Sequence, residues 1–218
     1  MQDKKFGVFD FDGTIADAMP VYFDVSAEII EREYNLSGEE FYKFSIMYTG
    51  APIEDLFENF LQSKGKSTNK VADNIKTFFD LVNAKEFPVI DGAREAIEKV
   101  HKKGFDLFIS TGSQTERTKE RLEKAGLLKY FSLVYGCSEI EKGPEHISDF
   151  AKFSKVGFGD FTKNSFLLGD GPGDMRLAKS CKMKAIGVAH TFDREYLIKS
   201  GADVVFDRVS EAGDMDLI

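Results

Sequence analysis

Tryptophan is absent from this chain, and cysteine, histidine and proline are scarce, at two, three and five of 218 residues. The two cysteines, Cys137 and Cys181, form no CxxC pair and stand near no metal-spaced histidine. That argues against a disulfide framework or a cysteine-held zinc, and for free thiols in a reducing cytosol. No run approaches the roughly 18 apolar residues of a membrane-spanning helix. Met1-Gln2-Asp3-Lys4-Lys5 leads straight into a strand-like segment, without the apolar stretch of a signal peptide. A cytoplasmic protein with no membrane partner is expected. Basic residues are outnumbered, 29 against 37, giving a net charge of −8. Such a chain repels polyanions, which argues against nucleic acid polymers as partners. A phosphate would have to be held by a local device: a metal ion, a lysine or a helix N-terminus.

What is present is ordinary for a folded α/β protein. The chain is 42% hydrophobic and long enough to bury roughly 70% of its unfolded surface. Its 21 phenylalanines read as core filling. Short apolar runs occur at residues 6–9, 107–109, 133–135, 166–168, 185–188 and 204–206, each bounded by Gly, Asp, Ser or Thr. Runs of that length fit strands buried on both faces of a parallel sheet. Helical patterns lie between them. One is capped by Asp91 and stopped by Gly104, and one runs from Thr115 to Ala125 and stops at Gly126. Two more start near Pro144 and Asp174. The alternation predicts a doubly wound, Rossmann-like parallel sheet.

Residues 16–87 break the rhythm and read as helix after helix. Val21, Val25, Ile29 and Ile30 form one stripe, and Ser37-Gly38-Glu39-Glu40 is a capping-box signature. Pro52 opens a helix that buries Ile53, Leu56, Phe57, Phe60 and Leu61, and Val71, Ile75, Phe78, Phe79 and Val82 form a further stripe. The expected division is a core of 1–15 with 88–218 and an inserted all-helical domain of 16–87.

Ligands of open α/β sheets bind at the carboxyl ends of the strands. The first strand ends in Asp10-Phe11-Asp12-Gly13-Thr14. Two carboxylates so close raise one another's pKa, and a divalent cation would keep Asp10 ionised as a nucleophile. Asp12 could then act as acid and base, or the pair could be a solvated Asp-Gly turn. Gly13 allows the turn and is expected to expose backbone amides. The second strand ends in Ser110-Thr111-Gly112-Ser113, a hydroxyl with amides that suits a phosphate oxygen or a helix N-cap. Lys142 lies just before a helix start, where a surface lysine is also common. The fourth strand leads into Gly169-Asp170-Gly171-Pro172-Gly173-Asp174, whose hard oxygens suit Mg2+, with Asp174 also a possible N-cap. A dinucleotide fold is disfavoured, because Asp174 stands where the third glycine belongs. A P-loop fails because Phe60 replaces its first glycine.

Taken in order, Asp10-x-Asp12-Gly13-Thr14, Thr111, Lys142 and Gly169-Asp170-x-x-x-Asp174 resemble the haloacid dehalogenase-like hydrolase superfamily, over essentially the whole chain. The helical insert resembles the cap of its phosphoglycolate phosphatase and β-phosphoglucomutase branch. The resemblance implies a magnesium-dependent phosphatase for a small phosphorylated metabolite, with a phosphomutase as the alternative. It implies Asp10 as nucleophile and metal ligand, and Asp12 as acid/base and backbone metal ligand. Gly13, Thr111, Gly112 and Lys142 would bind the phosphoryl group, and Asp170 and Asp174 would complete the Mg2+ shell. Gly112 departs from the Asn or Ala of many relatives. Tyr48-Thr49-Gly50, between two helices of the insert, is expected to touch substrate, and the assembly is expected to be a monomer or homodimer.

Overall fold

A computed structural model of the chain describes residues 4–47, 52–138, 140–214 and 216–218. The six apolar runs form six strands: β1 (Lys5–Phe9), β2 (Phe105–Ser110), β3 (Phe131–Tyr135), β4 (Ser165–Gly169), β5 (Lys184–Val188) and β6 (Val204–Phe206). They pair in parallel, in the order β3-β2-β1-β4-β5-β6. Strand β1 therefore sits at the centre, where the winding reverses direction, which is the place where such sheets form a crevice for ligands.

Alternation along the strands fills both faces. Phe6, Val8, Phe108, Leu167, Ala185 and Val205 pack in one buried cluster with residues of the helices α7 (Pro144–Phe153), α8 (Phe158–Lys163), α9 (Pro172–Ser180) and α10 (Arg194–Lys199). Phe9 points the other way and meets Phe131 and Phe166 edge-on, with ring centroids 6.1 and 5.6 Å away. Helices α5 (Ala93–Lys102) and α6 (Thr115–Lys124) bury Ile97, Val100 and Leu122. Phenylalanine is the main filler: Phe6 stacks on Phe161 at 4.4 Å and Phe108 on Phe150 at 4.8 Å. On the opposite face Gly7 makes room for Phe166 and Leu107, since a Cβ there would lie 2.7 Å from the first and 2.9 Å from the second.

Two helix starts differ from the sequence reading. Helix α5 is preceded by Gly92 at φ 83°, so the cap is Gly92 and Asp91 lies one residue outside it. Helix α9 begins at Pro172, and Asp174 is its third residue, not its N-cap. There Asp174 accepts a bond from the Gly171 amide at 3.1 Å, closing the first turn from inside the helix.

The chain divides into two compact units, Met1–Asp17 with Pro88–Ile218, and Ala18–Phe87. The helical unit begins two residues later than the sequence boundary, because Ala16 is bridged to Val89 and the Asp17 amide bonds Pro88 O at 2.9 Å. It contains α1 (Met19–Tyr34), α2 (Gly38–Met47), α3 (Ile53–Ser63) and α4 (Val71–Asn83). Val25, Ile29, Phe41, Phe57, Phe60, Leu61, Phe78 and Val82 form its own core. Among the described residues no helix is long and apolar enough to cross a membrane.

Candidate active site

The site is assembled where strands end. The Asp10 amide still bonds Leu168 O at 2.8 Å, which fixes the residue directly over the end of β1. Beyond it the chain wraps on itself. The Ile15 and Ala16 amides both bond Phe11 O, at 2.8 and 2.9 Å, and the Gly13 amide bonds Ala16 O at 2.8 Å. The Gly13 N–H is thus already engaged, and the free donor expected there is not present. Gly13 serves the turn instead: φ is 77°, and a Cβ would stand 2.1 Å from an Asp170 oxygen. The same turn aims Thr14, whose hydroxyl donates to Asp170 Oδ1 at 3.1 Å.

Thr111 follows β2 and is tied to β3 through its amide, 3.0 Å from Tyr135 O. Its hydroxyl accepts from the Ser113 amide at 3.0 Å and donates to Asp12 Oδ2 at 3.1 Å. Ser113 Oγ donates to that same oxygen at 2.6 Å. Asp12 is half-buried and so held by two hydroxyls of the second loop. Gly112 is exposed, with open space where a side chain would stand, so the Asn or Ala of relatives would fit without displacement.

Lys142 extends its ammonium between two acids, 2.9 Å from Asp10 Oδ1 and 2.6 Å from Asp174 Oδ1. Asp10, Asp170 and Asp174 are all buried, and each offers an oxygen within 4.8 Å of the others. A Cβ on Gly169 would lie 2.4 Å from the Asp174 carboxyl carbon, so glycine is what lets that carboxylate cross the end of β4.

Electrostatics dominate this cluster. Burial pushes the Asp10 carboxyl well above the usual range, the Asp174 charge adds to the rise, and Lys142 opposes it. Burial and the Asp174 charge push Asp170 up to about 7, against the hydrogen bond from Thr14. The lysine stays charged: burial alone would lower its pKa, but Asp10 and Asp174 together raise it above its ordinary value. One ammonium thus faces three buried carboxylates. Their oxygens are the hard donors that Mg2+ prefers, and a divalent cation among them removes the imbalance. The residues present fit the metal that the sequence implies.

Asp10, Lys142, Asp170 and Asp174 are thus drawn into one cluster, with Asp12 and Thr111 joined beside it. Tyr48-Thr49-Gly50 lies outside the described residues. Ser113 and His146 were not singled out by the sequence reading, and Thr14 was read only as the end of the Asp10–Thr14 motif, with no role of its own. Ser113 was detectable as a second hydroxyl two residues after Thr111. The Ser110 partner of His146 is 36 residues away, and no local pattern marks the pair. A cleft of about 750 Å3 opens elsewhere on the same unit, along Asp17, Val89, Asp91, His190 and Arg208, and none of the clustered acids lines it.

The chain is similar to known phosphatases and hydrolases. The phosphorylated carbohydrates phosphatase of Thermotoga maritima is 26% identical over 89% of this chain and 90% of its own length. The phosphoglycolate phosphatase of Vibrio parahaemolyticus is 24% identical over 96% of this chain and 95% of its own. A haloacid dehalogenase-like hydrolase from Streptococcus pneumoniae superposes with a TM-score of 0.79 at 16% identity, covering 97% of both chains, which shows the shared fold. The family model for haloacid dehalogenase-like hydrolases matches residues 8–188. That match runs from the first strand to the fifth and encloses every clustered side chain, and it makes this chain a member of the haloacid dehalogenase-like hydrolase family.

Proposed function

We propose that the chain is a Mg2+-dependent phosphatase that hydrolyses a small phosphomonoester in two steps, through a phosphorylated Asp10. The observation that carries this reading is the close approach of Asp10, Asp170 and Asp174, within 4.8 Å of one another, around the Lys142 ammonium. When bound, Mg2+ would be held by these carboxylates and the Asp12 carbonyl, and would neutralise negative charge at the phosphoryl group.

In the first step an Asp10 oxygen attacks phosphorus, the bond to the leaving oxygen breaks, and Asp12 gives that oxygen its proton. In the second, water attacks phosphorus, Asp12 takes the water's proton, and the bond to Asp10 breaks to release phosphate. Thr111 and Ser113 suit the Asp12 role because their hydroxyls both anchor Oδ2 and so fix the orientation of the carboxyl group. Lys142 keeps the nucleophile ionised and meets charge developing on the transferring group. Thr111 and the exposed Gly112 lie on the loop proposed to receive the phosphoryl oxygens.

The helical unit, Ala18–Phe87, is proposed as the cap that selects the substrate and shields the acyl phosphate from untimely water. The names of the relatives support sugar phosphates and phosphoglycolate as first candidates. The test is phosphate release from a panel of small phosphomonoesters with Mg2+. Turnover that stops in excess chelator and returns with Mg2+ is expected. Full activity in chelator, or interconversion of sugar phosphate isomers without net phosphate release, would contradict the proposal.

A further inference from the structure

One buried polar residue outside this machinery touches two of its loops. His146 is the third residue of α7 and is fully buried. Its Nδ1 lies 2.9 Å from Ser110 Oγ, and its Nε2 lies 3.0 Å from Ile140 O. Ser110 is the last residue of β2 and immediately precedes Thr111. Ile140 stands two residues before Lys142 in the loop after β3.

The tautomer follows from the partners. A carbonyl oxygen only accepts, so Nε2 carries the proton, and in the neutral ring Nδ1 accepts from the Ser110 hydroxyl. Burial pushes the imidazole below its ordinary range, with the nearby Lys142 cation acting in the same sense, so the neutral ring is the stable form. One side chain thus satisfies a carbonyl of the lysine loop and a hydroxyl at the end of β2. Tyr135 and Phe150, with ring centroids at 5.5 and 6.4 Å, fix its orientation.

The lysine loop needs such a tie. Its front half is bound to the 113–115 turn: the Gly136 amide bonds Thr115 Oγ1 at 3.0 Å, the Cys137 amide bonds Ser113 O at 2.9 Å, and Ser138 Oγ accepts from the Thr115 amide at 3.0 Å. The back half, which carries Lys142, has the His146 ring on Ile140 O and the His146 amide on Gly143 O at 3.1 Å. Gly143 itself is extended, at φ −173°, so the loop gets no helical support before Pro144. An apolar residue at 146 would fill the same volume, leave the buried Ser110 hydroxyl without this bond and release the half-buried Ile140 carbonyl.

We propose that His146 is a positioning residue, which holds the Lys142 loop against the end of β2 and so keeps the ammonium in place between Asp10 and Asp174. This rests on the phosphatase reading above. The test compares wild type, His146→Leu and His146→Gln with the best phosphomonoester, measuring kcat/KM and the Mg2+ concentration for half-maximal rate. Leucine keeps the bulk and removes both bonds. Glutamine restores one donor and one acceptor. His146→Leu is expected to lose roughly 10- to 100-fold in kcat/KM, the scale of a displaced catalytic group. The Mg2+ midpoint is expected to move by much less than the rate, because the metal carboxylates sit on other loops and only the ammonium beside them shifts, and His146→Gln should recover to within about threefold of wild type. A folded His146→Leu with an unchanged rate overturns the proposal. So does a Mg2+ midpoint that moves in step with the rate, the mark of general disorder, or a glutamine variant as impaired as leucine. Should His146→Leu not fold, Ser110→Ala decides: a loss of about threefold or more supports the tie, and an unchanged rate overturns it. Absence of turnover in wild type sinks the phosphatase reading itself, whereas equal rates in wild type and variants sink only this inference.

Discussion

Asp10 carries opposing demands. In the proposed mechanism it must be ionised to attack, yet burial and the charges of Asp174 and Asp170 favour its protonated form, with Lys142 resisting them. The Asp10→Asn variant is therefore expected to lose turnover altogether while melting, in chelator, at or above the wild-type temperature, since one of three crowded carboxylates is gone. Calorimetry on the metal-free variant checks this, and a drop of several degrees would show that the cluster is less strained than argued. Asp12 differs, being half-buried and held by the hydroxyls of Thr111 and Ser113. Asp12→Ala is expected to fold normally and lose about 10²–10⁴ in rate, the usual scale of general acid–base catalysis. A rate near wild type would remove the assigned role.

At the scale of elements, the loop after β1 explains why glycine follows the acids. Gly13→Ala places a methyl group in a backbone conformation that costs about 1–2 kcal/mol and drives it into Asp170. The expected result is a lower melting temperature together with an Mg2+ midpoint raised about tenfold or more, as when a ligand's support is lost. An unshifted midpoint would mean that Gly13 matters only to the turn. Gly7→Val tests the sheet instead: overpacking against Phe166 and Leu107 should cost about 1–3 kcal/mol in denaturant unfolding and leave the midpoint alone. These elements also show what the sequence made legible. All six strands were readable, because apolar runs broken by Gly, Asp, Ser or Thr have one economical solution in an α/β chain. The starts of α5 and α9 were not, because Asp91 and Asp174 both resemble N-caps and only the backbone path decides. The Gly13 amide was misread for the same reason: its acceptor, Ala16 O, is set by the wrap of residues 11–16. His146 escaped because its Ser110 partner lies 36 residues away, whereas Ser113 was there to be read beside Thr111.

On the scale of the whole molecule, stability, pH and metal are linked through the acid cluster. A carboxyl such as Asp170, at about 7 in the metal-free fold against 3.8 unfolded, takes up a proton on folding. Its contribution is complete below the unfolded value and is lost as pH rises through 7, so the metal-free protein is destabilised in that window and Asp10 acts in the same direction. The rise in melting temperature caused by Mg2+ should therefore be larger at pH 8 than at pH 5, and an equal or smaller rise at pH 8 would break the link. The central claim is that four strand-end loops deliver one nucleophile to one phosphorus. Its most direct test is acid quenching of the wild-type protein during turnover, followed by tandem mass spectrometry of the peptide that spans β1 and its loop. The account predicts one added phosphoryl group, located on Asp10 and absent from Asp10→Asn. A phosphoryl group on any other residue, or turnover that persists in Asp10→Asn, would contradict it.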